Sequence, residues 1–223
     1  MAPPRILPRP LLGEALSKLD RLAEYLYGLV DRFFPRSRGR LRDYIAKRVE
    51  GAREILLRLD ERVLGVRRIG EGAYILLMAS SRLEGRPVRL GPVRVKTLEG
   101  RVEEKPARLP PEALYHVEIG PYALKCTCPD AVYAAARADE ALTRLGFPPQ
   151  AYKYNLCKHI LAGLALLWAR GEIDPTRPPL DEALLRALVT AYLATLPPGR
   201  RPRVSRIALV YARGSDATPA TKN

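Results

Sequence analysis

All three cysteines of the chain fall into two compact pairs, and the second pair includes a histidine. Cys126 and Cys128 lie in the stretch KCTCPD, and Cys157 and His159 lie in LCKHIL. Thiolate sulfur and imidazole nitrogen are the ligands of structural zinc sites, which hold the ion tetrahedrally with four such groups. The pairing therefore predicts one Zn²⁺ ion with a structural role, held by Cys126, Cys128, Cys157 and His159.

The local geometry of each pair supports this interpretation. Cys126 and Cys128 are two residues apart on a predicted strand, so their side chains should point to the same face. Cys157 and His159 have the same spacing, but on a regular helix it would place them about 200° apart. We therefore expect Cys157 to lie before the helix, where the positive helix end favours the thiolate. Three thiolates with Zn²⁺ leave one excess negative charge, which nearby lysines can offset: Lys125, Lys153 and Lys158.

Other uses of these cysteines stay open at this point. Buried inert thiols would be expected to scatter along the chain rather than to pair twice. A disulfide between Cys126 and Cys128 would be strained and would leave His159 without a role, although intracellular thermophile proteins do carry disulfides. A catalytic cysteine would need a base nearby, and His116 is the only other histidine in the chain.

The pattern Cys-x-Cys, a 28-residue spacer and then Cys-Lys-His resembles the SWIM-type zinc finger family, in particular its stand-alone archaeal members. Pro129-Asp130 after the second cysteine and Ile160-Leu161-Ala162 after the histidine add to the likeness, which covers residues 113–168. The resemblance implies a β-hairpin leading into a helix, with the same four ligands. It also implies DNA binding or protein–protein contact, and a RecA-family recombinase paralogue as partner of the archaeal versions.

The charge of the chain predicts a polyanionic partner. The formal net charge is +14, with 30 arginines and 8 lysines. Such a balance is typical of proteins that bind nucleic acid and, less often, of proteins that bind an acidic protein or a membrane surface. The residues predicted to contact DNA or RNA form three groups: Arg36, Arg38, Arg40 and Arg42; Arg89, Arg94 and Lys96; and Arg200, Arg201, Arg203 and Arg206.

These basic groups also have a plain structural interpretation. Arginine-rich surfaces are often solvated, ion-paired faces, above all in thermophiles, and the chain is poor in glutamine, asparagine and methionine. Tyr152 and Tyr154 could stack on single-stranded bases or pack around the metal site. The same features fit a second class of function, a protein scaffold in a RecA-family recombination complex or a ribonucleoprotein assembly.

The sequence argues against an enzyme, against a protein that binds a small-molecule substrate, and against a secreted or membrane protein. The sequence has no phosphate-binding glycine loop and no HxE or PCxxC element of the zinc deaminases, and a four-ligand zinc has no open position for water. We therefore expect no enzyme and no small-molecule substrate. The N-terminus lacks the apolar region of a signal peptide, and the longest apolar run, residues 160–169, is about half a bilayer span. We expect a cytoplasmic protein without membrane contact.

Hydrophobic spacing predicts an α+β fold with a small antiparallel sheet. Its parts are a helical hairpin (1–70), an α+β core with the finger (71–171), a C-terminal helix and strand (172–213) and a disordered tail (214–223). The predicted helices cover 12–33, 41–63, 130–146, 156–170 with Asn155 as cap, and 181–196. The predicted strands cover 73–80, 87–98, two within 114–128 that are joined at Gly120-Pro121, and 204–212.

Overall fold

The N-terminal part of the chain is a helical hairpin, as predicted. In the computed structural model, which describes residues 9–80, 92–96, 102–106 and 114–197, helix α1 (Arg9–Phe33) passes through a 3-10 turn (Pro35–Ser37) into helix α2 (Arg38–Leu57). The two helices pack against each other. Their apolar residues, spaced three and four apart, are fully buried in the core: Leu19, Leu22, Leu26, Val30, Leu41, Ile45 and Leu56.

The prediction that the second helix runs to residue 63 is wrong. A single helical turn, α3 (Leu59–Arg62), follows α2, and the next residues form strand β1 (Val63–Gly70). β1 pairs antiparallel with β2 (Ala73–Ala79) across a turn in which Gly72 has a φ of 60°. The apolar spacing of the helix continues into β1, but the backbone of the largely buried β2 needs hydrogen-bond partners on both edges, which local periodicity does not reveal.

Four strands form an antiparallel sheet in the order β1-β2-β5-β6. β5 (Leu114–Gly120) and β6 (Ala123–Cys126) are the predicted hairpin. A separate pair, β3 (Pro92–Lys96) and β4 (Val102–Pro106), lies between β2 and β5 in sequence, and only its first strand was predicted. One face of the four-stranded sheet is buried, through Tyr74, Leu76, Met78, Val117, Ile119 and Leu124.

The C-terminal helices are α4 (Pro129–Arg144), α5 (Lys158–Ala169) and α6 (Leu180–Ala194), close to their predicted positions. α5 is the central element, since every residue from His159 to Trp168 is buried. Helices α1 and α2 pack against it, and so does the sheet, while α6 packs on α4. At Gly163 the sheet comes so close that an added Cβ would lie 2.6 Å from the Ile119 Cδ1 atom.

None of the helices in the described part of the chain combines the length and apolarity that a membrane span requires. The predicted strand at 204–212 and the tail at 214–223 lie outside the described residues.

Candidate metal centre

The first ligand pair lies where β6 passes into α4. Cys126 is the last residue of β6, and Cys128, with an extended backbone, is the N-cap residue of α4. Thr127 between them is fixed to β5: its backbone N–H donates to the His116 carbonyl at 3.1 Å, and its hydroxyl accepts from the His116 N–H at 3.0 Å. These bonds extend the strand pairing one residue past β6, and both thiols are buried.

The second pair lies across the start of α5. Cys157 is the N-cap residue, with φ −103° and ψ 167°, and His159 is in the first turn. Cys157 therefore precedes the helix, as predicted, and this break in helical geometry brings the two ligands together. The prediction that Asn155 is the N-cap residue of this helix is wrong. The Asn155 backbone N–H donates instead to the Leu124 carbonyl at 2.6 Å, which ties the segment to β6.

The four side chains form one buried cluster. The Sγ atoms of Cys126, Cys128 and Cys157 and a ring nitrogen of His159 all lie within 4.8 Å of one another, and the cysteines are free thiols. Tetrahedral zinc with sulfur and nitrogen ligands at about 2.0–2.3 Å needs donor atoms about 3.3–3.8 Å apart, which small side-chain adjustments would provide. The cluster therefore fits one metal ion.

His159 supplies an independent indication of an ion. Both of its ring nitrogens are buried, and within the described ranges neither makes a hydrogen bond of ordinary geometry, although the imidazole lies close enough to Cys128 to help lower the pKa of its thiol. A buried polar nitrogen without a partner costs free energy, so such groups normally bind something. His116, by contrast, is exposed and lies outside the cluster.

The ionisation of the three thiols is coupled. The pKa of the Cys128 thiol is lowered, first because Cys126 and then because Cys157 donates a hydrogen bond to its sulfur. The first of these bonds also raises the pKa of Cys126, and burial raises the pKa of Cys157. The raised pKa values of Cys126 and Cys157 therefore oppose ionisation of all three thiols together. A second and a third thiolate in this buried volume require a positive charge beside them.

Two contacts outside the ligand set position the start of α5. The Tyr115 ring centre lies 4.8 Å from that of His159, at an interplanar angle of 60°, and the Tyr115 hydroxyl donates to the Ser80 Oγ atom at 3.0 Å. The stem of Lys158 lies against α2 at Gly51, where an added Cβ would be 2.8 Å from the lysine Cδ. The sequence offered one signal for Tyr115: strand alternation places it on the same face as buried Val117.

The first predicted nucleic-acid group lies at the junction of α1 and α2. Arg36, Arg38 and Arg40 are exposed there, and Arg40 also donates to the Thr195 carbonyl just after α6, at 3.2 Å. Arg42, the fourth predicted arginine, is less exposed than these three. This junction is therefore a one-sided basic surface made of three arginines rather than four.

Arg42 is half-buried and engaged within the protein. It pairs with Asp31 at 2.5 Å, and its guanidinium lies over the Tyr27 ring. Of the second group, Arg94 and Lys96 lie on β3, where Arg94 is opposite Glu104 in the register of the strands. The other predicted contacts lie outside the described residues: Arg89, Arg200, Arg201, Arg203 and Arg206.

The two tyrosines of the AYKYN segment have different environments. Tyr154 is buried, and its hydroxyl accepts a hydrogen bond from Arg186 at 2.8 Å, so it is a core residue. Tyr152 is exposed.

Comparisons of the chain with protein-family models, curated proteins and solved structures find no match.

Proposed function

We propose that the chain is a SWIM-type zinc protein that binds nucleic acid, DNA in the first instance, through basic surfaces and without strong sequence preference. The observation that carries this proposal is the buried Cys₃His cluster within a chain of net charge +14. The ligand pattern supports the family, and the charge supports the partner.

The metal has a structural role in this proposal. Cys126, Cys128, Cys157 and His159 would hold it, and four protein ligands leave no position for a substrate or a reactive water. Bound zinc supplies a cross-link between the end of β6, the start of α4 and the start of α5. The protein therefore acts by binding rather than by catalysis.

The basic surface would contact phosphates. Arg36, Arg38 and Arg40 are exposed next to one another, and an arginine guanidinium can bind two phosphate oxygens at once. Arg40 reaches Thr195, and the sequence continues from there into the arginines at 200–206 within five residues. No acidic residue lies between Glu182 and Asp216. Phosphate contacts carry no sequence information, so we propose sequence-tolerant binding.

Charge reversal at the helix junction tests this proposal. The double variant Arg36→Glu, Arg38→Glu should weaken binding to a DNA duplex by about tenfold or more and lower the salt dependence, because each lost phosphate contact reduces the log–log salt slope by about one. Fluorescence anisotropy with labelled DNA measures both quantities, and the zinc content should not change.

A second double variant, Arg53→Glu and Arg144→Glu, is the matched control. It changes the net charge equally, but these arginines pair with Asp20 and Glu140 and are not free for phosphates. We expect a smaller loss of affinity than for the junction variant. If the two variants weaken binding to the same extent, only the overall charge matters and the assigned surface is wrong.

A protein scaffold is the second candidate, and an exposed apolar surface favours it. Val132 and Tyr133 on α4 are 57% and 65% exposed. Exposed tyrosines beside aliphatic residues are common at protein interfaces. The family resemblance would make the partner a RecA-family recombinase paralogue, and the basic charge also fits a ribonucleoprotein assembly. Affinity capture from the native host, with and without nuclease, separates the two functions: partners that resist nuclease favour the scaffold.

A further inference from the structure

Two exposed tyrosines lie on the two segments that lead to Cys126 and Cys157. Tyr122, in the turn between β5 and β6, is 81% exposed, and Tyr152 is 48% exposed. Tyrosine rings usually bury much of their surface, so rings with this much exposure are candidates for contact with a ligand.

The backbone brings the two tyrosine segments together. Leu124 of β6 forms a parallel bridge with Tyr154, and the Asn155 N–H donates to the Leu124 carbonyl. Tyr122 and Tyr152 each come two residues before a member of this bridge, so both lie at the same end of it. Two residues beyond Leu124 and Asn155 come the ligands Cys126 and Cys157. A bound metal would therefore hold the two segments side by side.

Lysines surround the Tyr152 ring. The Lys125 Nζ atom lies 6.0 Å from the ring centre, and the Lys153 Nζ atom lies 5.8 Å from it. Neither residues 119–129 nor residues 141–171 contain an aspartate or a glutamate. Two acidic residues lie near these segments: Glu118, which is opposite Lys125 in the pairing of β5 with β6, and Asp139, whose carboxylate accepts a hydrogen bond from the Ala151 N–H at 2.7 Å and so is engaged with the backbone. The surface therefore combines exposed aromatic faces with two lysine ammonium groups.

We propose that Tyr122, Tyr152, Lys125 and Lys153 form a stacking site for single-stranded nucleic acid. The proposal rests on the proposed function and specifies the form of nucleic acid bound. Exposed rings can take the faces of unpaired bases, while the two ammonium groups contact the phosphates between them. A duplex keeps its bases stacked inside and offers no such faces. Lysine is depleted at protein–protein interfaces, and here two lysines lie beside the Tyr152 ring.

Removal of both rings tests the site. The variant Tyr122→Ala, Tyr152→Ala should bind an oligothymidylate of about 15 nucleotides at least tenfold more weakly than the unmodified protein, since base stacking contributes strongly per ring. Its affinity for a DNA duplex of the same length should change less than about twofold. The variant Tyr122→Phe, Tyr152→Phe keeps both rings and should bind the single strand normally. Tyr133→Ala removes a tyrosine of α4 whose exposure, 65%, lies between those of Tyr122 and Tyr152, and it should also have no effect.

The outcomes separate this inference from the proposed function. If the unmodified protein binds neither the single strand nor the duplex, the proposed function fails and the stacking site fails with it. If it binds the single strand and the double alanine variant binds it equally well, only the stacking site is overturned. Equal losses for single strand and duplex would also overturn it. Zinc content and thermal unfolding of each variant establish that the fold is intact.

Discussion

At the scale of single residues, the burial of His159 and of the three thiols around it favours a bound cation. The imidazole is buried and neither nitrogen makes a hydrogen bond of ordinary geometry in the described part of the chain, and the thiols cannot all ionise without a cation beside them. A divalent metal would accept the lone pair of one imidazole nitrogen and compensate the thiolate charge.

Loss of one ligand should therefore release the metal. Cys157→Ser or His159→Ala should reduce bound zinc to well below one ion per chain and lower the Tm by about 10 °C or more, because metal binding energy is folding energy in structural sites. His116→Ala is the control and should retain full zinc content, since His116 lies outside the cluster. Metal analysis after dialysis, together with calorimetry, measures both effects. A His159→Ala protein with full zinc and an unchanged Tm would exclude His159 as a ligand.

Metal affinity should rise steeply with pH. The pKa values of Cys126 and Cys157 are raised in the metal-free protein and that of Cys128 is lowered. At neutral pH the metal must therefore displace about two protons, so the logarithm of its affinity should increase by about two per pH unit. Calorimetric titration in buffers of different ionisation enthalpy counts the protons. Release of none would mean that the thiols are already ionised, or are not ligands.

At the scale of elements, the position of α5 decides the geometry of the site. This helix carries two ligands at its start and packs on the sheet at Gly163, where the side chains of Leu76, Met78 and Ile119 leave no room for a methyl group. This contact with β2 and β5 therefore fixes the start of α5 relative to Cys126, because β6 pairs with β5.

Substitution of two glycines by alanine should have opposite effects. Gly163→Ala should destabilise the protein by about 1 kcal/mol or more, because overpacking in the core outweighs the gain in helix propensity. Gly28→Ala, on the exposed side of α1 with open space around it, should stabilise the protein by about 0.5–1 kcal/mol. Urea unfolding of both variants measures the difference. A stabilised Gly163→Ala variant would show that Ile119 moves aside easily.

Helices with a continuous apolar stripe could be predicted from the sequence, and so could the β5–β6 hairpin. The end of α2 and the strand β1 could not be predicted from the sequence. The apolar spacing of the helix continues across Leu59 into Val63, but long-range pairing with β2 decides the conformation of the residues from Val63 onward. That Cys126, Cys128, Cys157 and His159 lie together could be predicted from their spacing. Tyr115 against His159 and Arg40 against Thr195 could not be predicted, since both contacts join distant segments.

At the scale of the whole molecule, the main feature is the excess of basic over acidic residues. The net charge is +14, but some of the arginines form ion pairs within the protein: Arg42 pairs with Asp31, and Arg48 pairs with Asp130. The arginines that remain exposed at the junction of α1 and α2 are those to which we assign the proposed nucleic-acid contacts.

Affinity for DNA should fall steeply with salt. Several neutralised phosphates predict a log–log slope of about −4 to −8 between affinity and salt concentration, because bound counterions are released. Anisotropy titrations over a range of sodium chloride concentrations, with duplexes of unrelated sequence, give the slope for each. The slopes should agree among sequences. A nearly flat dependence would leave the arginines as solvated surface and favour the scaffold function.

The proposed family, the fixed start of α5 and the stacking site all depend on the metal centre. Native mass spectrometry of protein purified without oxidants detects both a bound ion and a disulfide. We predict one zinc ion per chain and no disulfide, with loss of the ion on chelation and a simultaneous loss of cooperative unfolding. A folded, metal-free chain whose Cys157 is in a disulfide would show that these residues do not form a zinc site.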